Sequence, residues 1–164
     1  MKFSSLILAL AISACNLPAN GGSVANGCGS GNELAPSTAG LSQTTLCIES
    51  GTKKQIFTVE IARSSMEQAK GLMFRTELPD NTGMIFPFPE PKVASFWMKN
   101  TVIPLDIIFI RENGTIESIA ENTVPYSTEP VSAGEPVISV LELRGGLTSE
   151  LGIKAGDRVT WRSK

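Results

Sequence analysis

Ser95-Phe-Trp-Met-Lys-Asn-Thr-Val-Ile-Pro-Leu-Asp-Ile-Ile-Phe-Ile110 reads as an aromatic strand, a sharp polar turn and a second strand, apolar from Leu105 to Ile110 except at Asp106. A carboxylate at the head of so apolar a run is costly to bury without partners. Asn100 and Thr101 stand just before it, with short side chains suited to building a turn or bonding a neighbouring group. Asn100, Thr101 and Asp106 thus form the polar cluster of the most hydrophobic part of the chain.

Downstream, Arg111-Glu-Asn-Gly114 places Asn-Gly between two strand-like runs, a strong hairpin signal. Leu105–Ile110 is therefore expected to pair antiparallel with Thr115–Ala120. Glu121 to Glu135, rich in Pro, Ser, Thr and Gly, reads as a long loop. Val137-Ile-Ser-Val-Leu-Glu-Leu143 is the next strand; Gly145-Gly146 follows, then one helical turn over Leu147–Leu151 and a last strand over Arg158–Arg162.

Upstream, Pro87, Pro89 and Pro91 predict a surface loop from Pro87 to Lys92 after a short strand, Met84–Phe86. Leu78 to Gly83 is a dense turn signal. Gln55–Ala62 alternates as a strand with Phe57, Val59 and Ile61 on one face. Ser64 followed three residues later by Glu67 fits a capping box, opening a short helix from Ser65 to Lys70 that Gly71 can close. Short strands with one or two short helices describe a mostly β (α+β) domain over 45–164, a compact antiparallel β-barrel-like fold.

The first fourteen residues are not read as part of that domain. Lys2 and the apolar run Leu6–Ile12 have the pattern of a signal peptide and are too short for a membrane-spanning helix. Ile12-Ser13-Ala14-Cys15 resembles a bacterial lipoprotein cleavage box, which implies cleavage before Cys15 and a lipid on its sulfur. The acyl chains would anchor the protein to a membrane. Residues 15–44, rich in Gly, Ser and Asn, read as a flexible tether. The expected location is extracytoplasmic, on the cell envelope, and in a cell with two membranes the outer one, facing the periplasm. In that oxidising compartment Cys28 and Cys47 invite a disulfide, the alternative being two free thiols.

Charge and composition narrow the chemistry. Fourteen basic residues against sixteen acidic ones give a net charge of -2, without the basic stripe of a nucleic-acid binder. The absence of His removes the usual general base and the commonest metal ligand. No phosphate-cradling glycine motif is present. Met73, Met84 and Met98 are soft ligands that suit Cu(I), but each stands among apolar residues, where Met fills core gaps. No metal and no cofactor is expected.

Gly71-Leu-Met-Phe-Arg75, Gly83-Met-Ile-Phe86, Phe96-Trp-Met-Lys-Asn-Thr-Val-Ile-Pro-Leu-Asp106, Val140-Leu-Glu-Leu143 and Gly156-Asp157 together resemble the DUF192 (UPF0127) family over nearly all of Ile56–Trp161. The resemblance implies a small β-rich domain, often exported, and supplies no reaction. It does not extend to the Cys28/Cys47 pair or to the tether.

Two readings of the motif residues follow. Asn100, Thr101 and Asp106 either build a turn or form the polar wall of a ligand site with Trp97, Met98 and Met73. Arg75 either clamps Asp106 or Glu142 or hooks a ligand carboxylate. The candidate ligand-binding set is Arg75, Trp97, Met98, Asn100, Thr101, Asp106 and Glu142, for a small molecule or an envelope component such as a glycan. Trp97 and Trp161 read as core and rim aromatics, or as a sugar-stacking platform. One alternative is a hydrolase of an envelope glycan or polymer using two of Asp106, Glu121 and Glu142. Another is a non-catalytic envelope scaffold or assembly factor, which would show an exposed apolar patch instead of a pocket.

Overall fold

The computed structural model of the chain describes Cys28 and residues 33–162. The expected signal segment, the lipidation site Cys15 and most of the tether lie outside these residues. Strands β1 (Glu33–Leu34), β2 (Gln43–Ser50) and β3 (Lys53–Ile61) lead to helix α1 (Ser65–Lys70). Next come β4 (Thr82–Lys92), β5 (Ser95–Phe96), β6 (Leu105–Ile110), β7 (Ile116–Thr123), β8 (Val131–Ser132) and β9 (Val137–Arg144). Helix α2 (Leu147–Leu151) and β10 (Arg158–Trp161) close the described chain. No helix among the described residues is long and apolar enough to cross a membrane.

Eight strands form one sheet in the order β1-β2-β3-β4-β9-β6-β7, with β10 beside β2. A bridge between Thr115 and Arg158 joins the β7 end to β10, reinforced by Ile116 N–H to the Asp157 carbonyl at 2.9 Å and Val159 N–H to the Gly114 carbonyl at 2.8 Å. The sheet therefore curls into a barrel, the mostly β fold expected from the sequence. The expected β6–β7 hairpin forms, with Ile108 opposite Ile119.

Three details differ from expectation. First, the sheet is not wholly antiparallel: β3 and β4 run parallel, with Glu60 opposite Met84. Parallel neighbours need a crossover of a dozen or more residues, and the segment carrying the six-residue α1 is long enough. Second, β4 continues through Pro87, Pro89 and Pro91, with a register shift between Pro87 and Lys92. The Ile85 carbonyl accepts from Ala62 on the β3 side, so Pro87, two residues on and ahead of the register shift, turns its missing N–H to that side. The β3 ladder ends at Ile61↔Ile85, so no ladder bond is lost there. Third, the expected loop from Glu121 to Glu135 is partly ordered as strand: β7 runs to Thr123, and β8 pairs with β5.

Order also begins before Thr45, because β1 pairs with the start of β2 through Glu33↔Thr44 and Leu34↔Gln43. Cys47, buried in β2, is joined to Cys28 by a disulfide with the Cα atoms 5.5 Å apart. That bond ties the chain before β1 to the barrel wall.

Alternate residues of the central strands feed two separate cores. Leu46, Phe57, Val59, Ile85, Ile108, Leu141 and Val159 fill the barrel interior, and Leu147 of α2 joins them. Met84, Phe86, Leu105, Ile107, Phe109 and Val140 face outward into a second cluster that also contains Leu72, Ala94 and Met98. Strands β4, β9 and β6 are thus buried on both faces, which explains why they read as near-continuous apolar runs.

Candidate functional site

Asp106 lies on the inner face, in step with Ile108 and Ile110, and is fully buried. One carboxylate oxygen accepts from Asn122 N–H at 2.7 Å and Gly146 N–H at 2.8 Å. The other accepts from Thr148 N–H at 2.8 Å and Thr148 Oγ1 at 2.6 Å. Helix α2 begins at Gly146 without a side-chain cap of its own, and Asp106 supplies that cap from β6. Asn122, at φ 50, sits where the β6–β7 register shifts between Leu105 and Ile107, and Asp106 binds its N–H there. Gly145 fits against this knot because a Cβ would stand 2.8 Å from Pro104 Cβ and 2.8 Å from Asn122 Oδ1. The expected ligand role of Asp106 is therefore corrected: its acceptors are occupied and it faces away from the outer cluster.

Arg75 is also corrected as a partner of Asp106 or Glu142. It pairs with Glu60 at 2.7 Å, a buried carboxylate on β3. Asn100 builds the turn, at φ 58, with its carbonyl accepting from Phe74 N–H at 2.9 Å and its amide donating to Met73 Sδ at 3.8 Å. Met98 is buried in the outer cluster, where its sulfur accepts from Thr123 Oγ1 at 3.1 Å. Neither Asn100 nor Met98 lines the cavity described next.

Glu142, Thr101 and Trp97 do come together. They line a cavity of about 290 Å³ on the outer face, between β4 and the segment from Gln68 to Met73. Phe86, Phe88 and Phe96 supply aromatic walls, with Phe86 and Phe96 edge to face at 5.1 Å between centroids. The capping box forms as expected, with Glu67 bonded to Ser64 N–H and Ser64 Oγ bonded to Glu67 N–H; the bonds from Ser64 N–H and Arg63 N–H hold the Glu67 carboxyl below its usual range. Gln68 then anchors α1 through its side-chain amide, which donates to the Pro87 carbonyl at 2.9 Å. Lys70 and Lys92 are the exposed charges on the lining, and Lys92 Nζ lies 3.9 Å from the Phe88 ring centre.

Glu142 is the anomaly of the site. It is only 5% exposed, and its Oε2 has no hydrogen-bond partner. Among the described residues only one other buried side-chain oxygen, Ser139 Oγ, is left so, and Ser139 does not line this cavity. Burial raises the Glu142 carboxyl from 4.5 to about 8, so at neutral pH it is mostly a protonated acid, able to donate as well as accept. An unmade hydrogen bond at a buried polar group costs about 1–3 kcal/mol.

The three carboxylates considered for hydrolysis do not assemble. Asp106 faces the interior, Glu142 the outer cavity, and Glu121 is exposed. Glu60 shares the outer face with Glu142 on one row, with Met84 on the strand between them. It opens instead into a separate cleft of about 540 Å³ with Arg75 and Phe74.

Lys70, Phe86, Phe88, Lys92 and Phe96 are cavity residues that the motif alone did not single out. The available signal was Phe86-Pro-Phe88, whose period of two puts both rings on the face that carries Met84.

The family profile of DUF192, described as "Uncharacterized ACR, COG1430", matches residues 46–161. A solved protein of unknown function from Novosphingobium aromaticivorans is similar at 47% identity and TM-score 0.77, over 80% of this chain and 94% of that one. A Sinorhizobium meliloti protein, named as a proposed transcription regulator, is similar at 37% identity and TM-score 0.72, over 74% of this chain and 95% of that one. No curated protein matches.

Proposed function

The chain belongs to the DUF192 family, and from the site geometry we propose that its domain binds a small organic molecule in the Glu142 cavity. The observation that carries this reading is the buried carboxyl of Glu142, whose Oε2 has no hydrogen-bond partner, on the lining of an aromatic-walled cavity. Small-molecule sites are typically apolar with a few convergent polar groups. The ligand would have a flat or aliphatic body against Phe86, Phe88 and Phe96. A carbonyl or hydroxyl would accept from the protonated Glu142, and an anionic end would suit Lys70 and Lys92 at the edge.

The reading places this activity outside the cytoplasm, on a lipid attached at Cys15, supported by the signal-like run before Cys15 and by the Cys28–Cys47 disulfide. Labelling of the full chain with an acyl analogue, abolished by Cys15→Ser, tests the anchor.

The binding test is calorimetric titration of a fragment hit bearing a carbonyl. With Glu142 titrating near 8, the competent protonated fraction falls about tenfold from about pH 7 to about pH 9. Affinity should fall by the same factor in the wild type. In Glu142→Gln, which cannot ionise, affinity should hold constant. An equal pH dependence in both proteins would reject Glu142 as the contact.

A further inference from the structure

Three of the four non-glycine residues with positive φ among the described residues are Phe74 at 64, Asn100 at 58 and Tyr126 at 63. They meet in one knot. Phe74 N–H donates to the Asn100 carbonyl at 2.9 Å, Tyr126 N–H to the Thr101 carbonyl at 3.1 Å, and Met98 N–H to the Ser127 carbonyl at 2.9 Å. Left-handed backbone is rare for bulky side chains, and strain of this kind gathers where structure serves a function. The side chains so held point outward: Phe74 is 70% exposed, Tyr126 61% and Trp97 51%. Val124, in the same turn as Tyr126, is exposed too. Four of the seven large apolar side chains exposed among the described residues therefore belong to this knot.

We propose that this aromatic knot is a membrane-interface face that seats the cavity mouth on an anionic lipid surface. Trp and Tyr are the side chains that settle at the water–lipid boundary, and Phe and Val add apolar area that can enter it. Three lysines stand at this edge, beside the exposed Glu77, Glu121 and Glu129 of the same segments. Lys99 lies over Trp97 at 5.3 Å, and Lys70 and Lys92 line the cavity that Trp97 borders. Lysines near an anionic leaflet strengthen attachment. Phe74 and Tyr126 do not line the Glu142 cavity, so this face stands whether or not that cavity binds a small molecule. Attachment through the knot would turn a tethered domain toward the bilayer.

The Novosphingobium relative, 94% of which is covered by the match, folds with little beyond this domain, so residues 28–164 are the test protein. It is sedimented with vesicles of equimolar phosphatidylglycerol and phosphatidylcholine, and with phosphatidylcholine alone. The wild type should associate with the anionic vesicles and more weakly with the neutral ones, and its tryptophan emission should shift to shorter wavelength. The double variant Phe74→Gly/Tyr126→Gly relieves the left-handed strain while deleting both rings. It should keep or raise Tm and lose association about tenfold or more. Glu142→Gln should associate as the wild type does. Absence of wild-type association, or undiminished association of the double variant, overturns the proposal. So does a wild-type dimer without vesicles that the double variant lacks, which would assign the face to a second copy of the chain.

Discussion

Replacing Glu142 by Gln should change how stability depends on pH, in a direction and amount fixed by the cavity. The folded carboxyl titrates near 8 against 4.5 as its ordinary value, so between those limits the folded chain holds a proton that the unfolded chain releases. The contribution is therefore complete below about pH 4.5, declines as pH rises, and levels off above about pH 8. At about 1.36 kcal/mol per unit, the total is about 5 kcal/mol, of which about 3 kcal/mol is gone by pH 7. Gln is nearly isosteric and does not titrate. Urea unfolding at about pH 4, 7 and 9 should show near-equal stabilities at the lowest pH. Glu142→Gln should become the more stable protein at neutral pH, by about 3 kcal/mol, and more so above it. Other titrating groups are common to both proteins and cancel in the difference. A difference that stays constant across this range would refute the reasoning, because Glu142 would then ionise as an exposed carboxylate does.

Asp106→Asn replaces one of the two oxygens that together accept four bonds at the start of α2 and at the β7 irregularity; it should cost about 1–3 kcal/mol in chemical unfolding, and an unchanged midpoint would contradict the capping role. Gly145→Ala would force a Cβ within 2.8 Å of Pro104 and Asn122, so unfolding curves should show a loss of about 1–3 kcal/mol; an unchanged midpoint would mean the Pro104 turn yields freely. Reducing the Cys28–Cys47 bond, which spans 19 residues of sequence, should lower stability by about 3 kcal/mol; equal unfolding with and without reductant would show that the link constrains nothing.

The sequence carried the local devices well. The Ser64–Glu67 capping box, the Asn113-Gly114 turn and the strand from Val137 all depend on neighbours within a few residues, and all are present. The β3–β4 crossover was not legible, since a six-residue helix gives little sign that the chain crosses the sheet. Nor was the facing of Asp106 and Glu142. In β6 and β9 both alternating sets of side chains are apolar, because both faces are buried, so no polar-out pattern marks the interior. Asp106 and Glu142 look alike in sequence, each a single carboxylate in an apolar strand. Barrel closure alone puts the first against the α2 N–H groups and the second against an open cavity. Of the aromatic knot, Trp97 and Asn100 stand in the opening stretch, where they read as parts of a turn or a ligand site; its other half, Tyr126, comes from a segment read as loop. Only the backbone bonds across the knot join them.

Amide and indole NMR spectra of residues 28–164, recorded with a fragment library, test the central claim most directly. Binding at the Glu142 cavity should move the signals of Gly71, Thr101, Glu142 and the Trp97 indole together. Glu142→Met, which fills the same position without an unpartnered carboxyl, should fold stably and abolish those shifts. Fragments that move signals only elsewhere, or that shift the Glu142→Met spectrum equally, would contradict the assignment of this cavity as the binding site.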